Sequence, residues 1–166
     1  MCKKLFVIKI IISLFLFSQA FAKENRSGIN VYTGMFDFSD DGKRASFYGI
    51  EHQNENLYRE TFFGNISPVT GGLITADKAT YVYTGVEANY DLGLLNITPS
   101  FTPGLYRQGD GKDLGHPIEF KSEVQLSLDL GDTTNLGMSY NHVSNASLGK
   151  KNPGANSYLF NFLKKF

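Results

Sequence analysis

A strict alternation of polar and apolar side chains runs through residues 116–130. From Glu119 on, the odd positions are all polar and carry both signs of charge, and all the even positions except Ser122 are apolar. The polar set is Glu119, Lys121, Glu123, Gln125, Ser127 and Asp129, and the apolar set is Phe120, Val124, Leu126, Leu128 and Leu130. A period of two predicts a β-strand with one polar and one apolar face. The fold must therefore place one face of this strand in polar surroundings and the other face in apolar surroundings.

Residues 94–106 repeat this pattern, with apolar side chains at the odd positions. Pro99 and Pro103 interrupt the donor series of that strand, which predicts bulges or an irregular end near Pro103. Two architectures fit such alternation. In a soluble β-sandwich the polar face meets water, whereas in a membrane barrel the apolar face meets lipid and the polar face lines the interior.

Strand length, strand number and the C-terminus favour the membrane barrel. The candidate strands are longer than the usual five or six residues and approach the length that crosses a bilayer. They number eight, over 28–38, 44–52, 57–68, 80–90, 94–106, 116–130, 136–144 and 158–166, and Thr70-Gly71-Gly72 ends the third segment. The last one places aromatic side chains at alternate positions and ends in Phe166, like the closing strand of bacterial outer-membrane proteins. We predict an all-β chain forming an eight-stranded antiparallel outer-membrane β-barrel. A soluble secreted β-protein that binds a ligand is the alternative.

The N-terminus predicts export. Lys3 and Lys4 precede an apolar run over 5–17, and Ala20-Phe21-Ala22 fits a signal-peptidase site, so residues 1–22 are expected to be a signal peptide and 23–166 the barrel domain. An uncleaved N-terminal anchor is the alternative. Cys2 would leave with the signal, which excludes thiolate metal sites, disulfides and a thiol nucleophile from the mature chain. Zero formal charge without a basic block argues against nucleic-acid binding.

A polar group is predicted on the outer wall near the C-terminus. Leu136 and Met138 set the apolar parity of strand 136–144, and His142 and Ser144 share it. The hairpin to the last strand brings Asn156 beside them. Polar side chains facing lipid cost free energy, so such residues either lie at the headgroup level, where the cost is small, or are kept for a function. A Ser beside a His can act as a nucleophile, and its substrate here would be a lipid ester.

The residues around this pair resemble a known signature. Asn141-His142-Val143-Ser144-Asn145-Ala146, followed by Asn152-Pro153-Gly154, is similar to the signature of the lipid A 3-O-deacylase (PagL-type) family, also called acyloxyacyl hydrolases. Further similar stretches are Ser67-Pro68-Val69-Thr70-Gly71-Gly72, Tyr83-Thr84-Gly85-Val86, Pro99-Ser100-Phe101-Thr102-Pro103-Gly104-Leu105-Tyr106, Leu114-Gly115 and Glu119-Phe120-Lys121-Ser122. The resemblance covers roughly residues 60–166.

The resemblance implies a serine esterase in the outer membrane that removes the 3-position acyl chain from lipid A of lipopolysaccharide, without a cofactor or a metal. It assigns His142 as the general base, Ser144 as the nucleophile, and Asn145 with the Ser147 amide as oxyanion donors. The family's acid is a Glu at the position of Asn156, which can orient His142 but carries no charge. The alternative is a non-catalytic or weakly active structural barrel. The oligomeric state is left open, with a homodimer among the options.

Overall fold

The computed structural model describes residues 27–166, which form antiparallel strands with short connections. The predicted signal peptide at 1–22 lies outside the described residues. The strands are β1 Ser27–Phe36, β2 Ala45–Asn54, β3 Arg59–Thr61, β4 Gly64–Thr75, β5 Thr80–Ala88, β6 Tyr90–Asp91, β7 Leu95–Arg107, β8 Ile118–Asp129, β9 Thr134–Ser144 and β10 Ala155–Lys165. A single 3-10 turn, Glu55–Leu57, follows β2. Over residues 27–166, no helix is long and apolar enough to cross a membrane.

The eight long strands close into a barrel. They pair in the cyclic order β1, β2, β4, β5, β7, β8, β9, β10, and β10 returns to β1. Every pairing is antiparallel, and the cyclic order gives each long strand a neighbour on both sides, so none of the eight long strands within residues 27–166 is left at an open edge. The prediction of an eight-stranded antiparallel barrel is confirmed.

The barrel is apolar outside and polar inside. Along β8 the outward side chains Leu126 and Leu128 are 47% and 51% exposed, whereas the inward Lys121 is 2% exposed. The outward parity of β10 likewise carries exposed Tyr158, Phe160 and Phe162. This arrangement reverses that of a soluble β-sandwich, whose apolar faces pack together. A continuous apolar wall of this kind requires lipid around it.

The third predicted strand was wrong in its position. β4 begins at Gly64 and runs through Gly71 and Gly72, pairing with β2 and β5 on its two sides, so the glycines do not break it. A Cβ on Gly71 would lie 2.7 Å from Tyr83 Oη, so the glycine makes room for that inward ring. Gly71 therefore marks a position inside the strand where the Tyr83 side chain packs closely against the backbone.

The predicted bulge near Pro103 is also absent from β7. The register between β7 and β8 is continuous from Leu95 opposite Leu128 to Leu105 opposite Ile118. On the β5 side, pairing stops after Tyr83–Gly104 and resumes at Val86–Phe101 in the same register. The proline therefore interrupts hydrogen bonding to one neighbour without inserting an extra residue.

The interior has a packed end and an open end. Near the end that carries the 37–44 and 145–154 loops, aromatic and aliphatic side chains such as Phe47, Tyr81 and Leu114 fill the barrel. The opposite end, where Phe166 N donates to Ser27 O, holds a polar cavity of about 620 Å³. Ser27 and Phe166 thus lie at the mouth opposite the packed end.

A charged cluster crosses the interior between these halves. Lys121 Nζ lies 2.9 Å from Glu123 Oε2, 3.5 Å from Glu51 Oε2 and 4.2 Å from the centre of the Tyr83 ring. Tyr83 Oη donates to Glu51 Oε2 at 2.8 Å. One buried cation therefore compensates two buried carboxylates.

Replacing Lys121→Met is expected to lower the free energy of unfolding by about 3–5 kcal/mol, because two carboxylates lose their buried cation. Circular dichroism during urea unfolding of the refolded barrel would measure the loss. Lys43→Met removes an exposed cation and is the matched control. Adding Glu51→Gln and Glu123→Gln to Lys121→Met should recover part of the stability. A Lys121→Met barrel as stable as the control would contradict the compensation.

Candidate active site

His142, Ser144 and Asn156 lie at the packed end of the barrel, on its outer wall. His142 is exposed and Ser144 is half-buried, on the same face of β9 as the exposed Leu136 and Met138. Asn156 stands directly opposite His142 in the β9–β10 ladder. The alternation of β9 and the short hairpin bring these three side chains together at the rim.

The imidazole is held by the Asn156 amide. His142 Nδ1 lies 2.8 Å from Asn156 Oδ1, and Tyr140 Oη donates to the same oxygen at 2.9 Å. Because an amide oxygen only accepts hydrogen bonds, His142 must carry its hydrogen on Nδ1. Its Nε2 then keeps a lone pair, which is the state that a general base needs.

Ser144 stands two residues beyond His142 on the same strand face. A strand rises about 3.3 Å per residue, so the two Cα atoms are about 6.6 Å apart. Among the described residues, no hydrogen bond involves Ser144 Oγ. Proton transfer to His142 Nε2 requires side-chain rotations that bring the two atoms within about 3 Å, as is common before substrate binds.

Gly154 forms one side of the imidazole site. Its φ angle is +64°, and a Cβ there would lie 2.8 Å from His142 Cε1 and 3.2 Å from Nε2. Any larger residue would push against the ring and would also strain the backbone. The Asn152-Pro153-Gly154 motif thus contacts the His directly.

A tight turn follows Ser144. Leu148 N donates to Asn145 O at 3.0 Å, and Ala146 and Ser147 between them have φ angles of 50° and 63°. A left-handed conformation costs a non-glycine residue about 1–2 kcal/mol, and such strain often occurs at functional sites. In the part of the chain that is described, the amides of Ala146 and Ser147 have no acceptor, and both residues are exposed.

Asn145 is fully buried beneath this turn. Its side-chain NH₂ donates to Leu114 O at 2.7 Å and to Lys151 O at 2.8 Å, and its backbone N donates to Asn152 Oδ1 at 3.0 Å. Both hydrogens of the side-chain amide are therefore engaged. In this geometry Asn145 braces the turn, and the exposed N–H groups belong to the backbone of Ala146 and Ser147.

A salt bridge joins the same hairpin to the 108–117 loop. Lys151 Nζ lies 2.6 Å from Asp113 Oδ2, and Gly115 N donates to the other oxygen at 2.8 Å. Lys151 and then the Gly115 amide lower the pKa of the Asp113 carboxyl below its ordinary value. The carboxylate and this contact therefore persist until the pH falls below the usual range for an Asp.

The 37–44 loop supplies contacts that the sequence did not indicate. Phe38 N donates to Asn156 O at 3.0 Å, and the Phe38 ring lies 5.2 Å from that of Tyr158. Asn156 Nδ2 donates to Ser39 Oγ at 3.3 Å. Phe38 and Ser39 are far from Asn156 in sequence, and no local pattern connects them to it. Tyr140, in contrast, has the same strand parity as His142, and this parity is the signal that identifies it as a neighbour of the site.

The interior carboxylates do not reach this site. Glu119 and Glu123 are buried inside the barrel, on the opposite face of the wall from His142. The 620 Å³ cavity lies at the other mouth, and its lining includes none of the residues around His142. Within residues 27–166, no group of three His, Cys, Asp or Glu side chains could hold a metal ion. His142, Ser144 and Asn156 therefore lie on the outer wall, apart from the interior carboxylates and from the cavity.

Comparisons with known proteins agree with this architecture. The crystal structure of the outer membrane enzyme PagL matches with a TM-score of 0.61 and 13% identity, covering 84% of this chain and 99% of the other. A de novo designed transmembrane β-barrel matches with a TM-score of 0.61 and 10% identity, over 87% and 98% of the two chains. Neisserial surface protein A (NspA) has a TM-score of 0.57 and 10% identity, over 84% and 96%. At these identities the structures show the fold alone.

Sequence comparison supplies the family. No curated protein matches the chain significantly. A family model described as lipid A 3-O-deacylase (PagL) matches residues 32–165, which include all of the residues around His142. The resemblance found from the motifs is confirmed: the chain belongs to the lipid A 3-O-deacylase (PagL) family.

Proposed function

We propose that this protein is an outer-membrane serine esterase that removes the 3-position acyl chain from lipid A. The observation that carries the proposal is the contact of 2.8 Å between His142 Nδ1 and Asn156 Oδ1 on the lipid-facing wall, with Ser144 on the same face. That wall faces the membrane, so the proposed substrate is a membrane lipid. The family is named for its action on lipid A, which is a lipid ester.

In the proposed reaction, Ser144 Oγ attacks the ester carbonyl carbon while His142 Nε2 accepts the hydroxyl proton. The amides of Ala146 and Ser147 donate to the oxyanion that forms, and Asn145 keeps the turn in place. The intermediate collapses, the sugar oxygen leaves with the proton from His142, and the acyl chain stays on Ser144. A water molecule, deprotonated by His142, then releases the fatty acid and restores Ser144.

Asn156 orients the imidazole but does not neutralise the imidazolium. Replacing the buried Asp of a serine protease triad with Asn lowers turnover by about 10⁴-fold, largely through the wrong tautomer. Here the Asn156 oxygen faces His142 Nδ1, which favours the correct tautomer. We infer a working but slow enzyme. A non-catalytic barrel is the second candidate, favoured by the missing carboxylate.

Ser144→Ala is expected to abolish deacylation, because Ser144 supplies the hydroxyl that attacks the ester in the proposed reaction. Mass spectrometry of lipid A from cells that express each variant would show the loss of one acyl chain with the wild type only. Ser46→Ala, which changes an exposed Ser on β2, is the matched control. Identical lipid A from wild type and Ser144→Ala would support the non-catalytic barrel.

Asn156→Glu restores the family's residue and is expected to raise the deacylation rate at least tenfold, because a carboxylate stabilises the imidazolium. Asn156→Asp tests the charge without a change of side-chain length. Gln108→Glu adds a negative charge to the same end of the barrel, away from His142, and should leave the rate unchanged. If neither substitution at 156 raises the rate, a neutral partner is sufficient for His142.

Gly154→Ala is expected to lower the deacylation rate at least tenfold while the barrel still folds, because the new methyl group displaces the His142 ring. Gly93→Ala is the control, since Gly93 has a φ of +93° and no atom within 4 Å of an added Cβ. It carries a similar backbone cost of about 1 kcal/mol without the contact. Equal rates for both variants would argue against a role for the ring position. Heat-modifiable gel migration checks the folding of each.

A further inference from the structure

We propose that Ser39 is a positioning residue that fixes which end of the Asn156 amide faces His142, and that Asp37 sets the direction of its hydroxyl. The inference rests on the proposed esterase function, which it deepens. Asn156 must present its oxygen, and not its NH₂ group, to His142. A carboxylate offers His142 two equivalent oxygens, whereas an amide offers an acceptor at one end and a donor at the other.

A reversed amide would disable the base. With the NH₂ group towards His142, Nδ1 would have to accept, and the imidazole hydrogen would move to Nε2, where it could not take the proton of Ser144. The two orientations have nearly the same shape, so packing alone does not choose between them. Tyr140 Oη, 2.9 Å from the amide oxygen, can donate or accept and does not choose either.

Ser39 makes the choice from the other side of the amide. Its Oγ lies 3.3 Å from Asn156 Nδ2 and 3.5 Å from Asp37 Oδ1. A hydroxyl has one hydrogen to donate. If that hydrogen goes to Asp37, the lone pairs of Ser39 are directed to Asn156, and only the NH₂ end of the amide can meet them.

Asp37 is held as an acceptor. It is 1% exposed, and its Oδ2 lies 2.5 Å from Lys112 Nζ, which also lies 3.4 Å from Asp40 Oδ2. A carboxylate that accepts from an ammonium group has no hydrogen of its own to donate. The Asn156 backbone N also points to Asp37 Oδ1, at 3.4 Å, which ties the carboxylate to the same strand end.

The contacts thus form a directed chain from Lys112 through Asp37, Ser39 and Asn156 to His142. Because the Asp37 carboxylate only accepts, each hydrogen bond of the chain has one allowed direction. The 37–44 loop, which joins β1 to β2, thereby sets the tautomer of a His on β9. A member of the family with Glu in place of Asn156 would not need this control.

The test combines Ser39→Ala and Ser39→Thr with Asn156→Asp. Proteins labelled with ¹⁵N-histidine are refolded in detergent and studied by NMR. The His142 signals are those that disappear in His142→Gln, and the chemical shifts of the two ring nitrogens report the tautomer. Ser39→Ala should produce a mixture of tautomers and lower deacylation by about tenfold, the size expected for one hydrogen bond. Ser39→Thr, which keeps the hydroxyl, should retain both wild-type properties.

The double variant separates orientation from a general structural role. In the Asn156→Asp background the amide has been replaced by two equivalent oxygens, so Ser39→Ala should change neither the tautomer nor the rate. Ser46→Ala is the control for the loss of a hydroxyl group. The proposal is overturned if Ser39→Ala leaves the wild-type tautomer intact, or if it reduces the rate equally in both backgrounds. A wild type that shows the tautomer but does not deacylate lipid A would overturn the proposed function and leave the positioning of His142 supported.

Discussion

Backbone hydrogen bonding without water is the constraint on which the structure depends. In the hydrocarbon region of a membrane an unpaired N–H or C=O group costs several kcal/mol, so a β-structure must close on itself. Pairing of β1 with β10 and of β2 with β4 completes that closure. The alternating side chains then have only one arrangement, with apolar residues facing lipid and polar residues facing a narrow interior. There the polar groups need hydrogen-bond or ionic partners.

The same constraint gives meaning to polar groups on the outer wall. Inside, Lys121 is compensated by Glu51 and Glu123. Outside, His142 and Asn156 satisfy each other at the rim, where the 37–44 loop contributes further hydrogen bonds. In the proposed function the substrate is a membrane lipid, which would reach this wall without a deep pocket. The lining of the interior cavity at the opposite mouth includes none of the residues around His142.

Because Asn156 is an amide and not a carboxylate, the orientation of His142 depends more strongly on the residues that contact Asn156. Asn156 lacks the charge that would stabilise an imidazolium, and it has a direction that a carboxylate lacks. Tyr140 Oη contacts the oxygen of its side-chain amide, Ser39 Oγ contacts the nitrogen, and Asp37 contacts Ser39. The strained turn at Ala146 and Ser147 similarly depends on Asn145, whose buried side chain bonds two separate loops. The reactive geometry is thus a property of the loops at one end of the barrel.

Sequence alone determined the barrel, its strand number and the outward parity of β8 and β9, because a period of two is a local property of the chain. It also indicated the family through the residues around His142. It placed the third strand at 57–68, whereas β4 runs over Gly64–Thr75, and of the bulges or irregular end predicted near Pro103 only an interruption of pairing to β5 is present. Both features depend on neighbouring strands. Only the tertiary structure brought Ser39 and Asp37 to Asn156 and engaged the Asn145 side chain, since these contacts join loops distant in sequence, and no local pattern encodes which loops meet when the barrel closes.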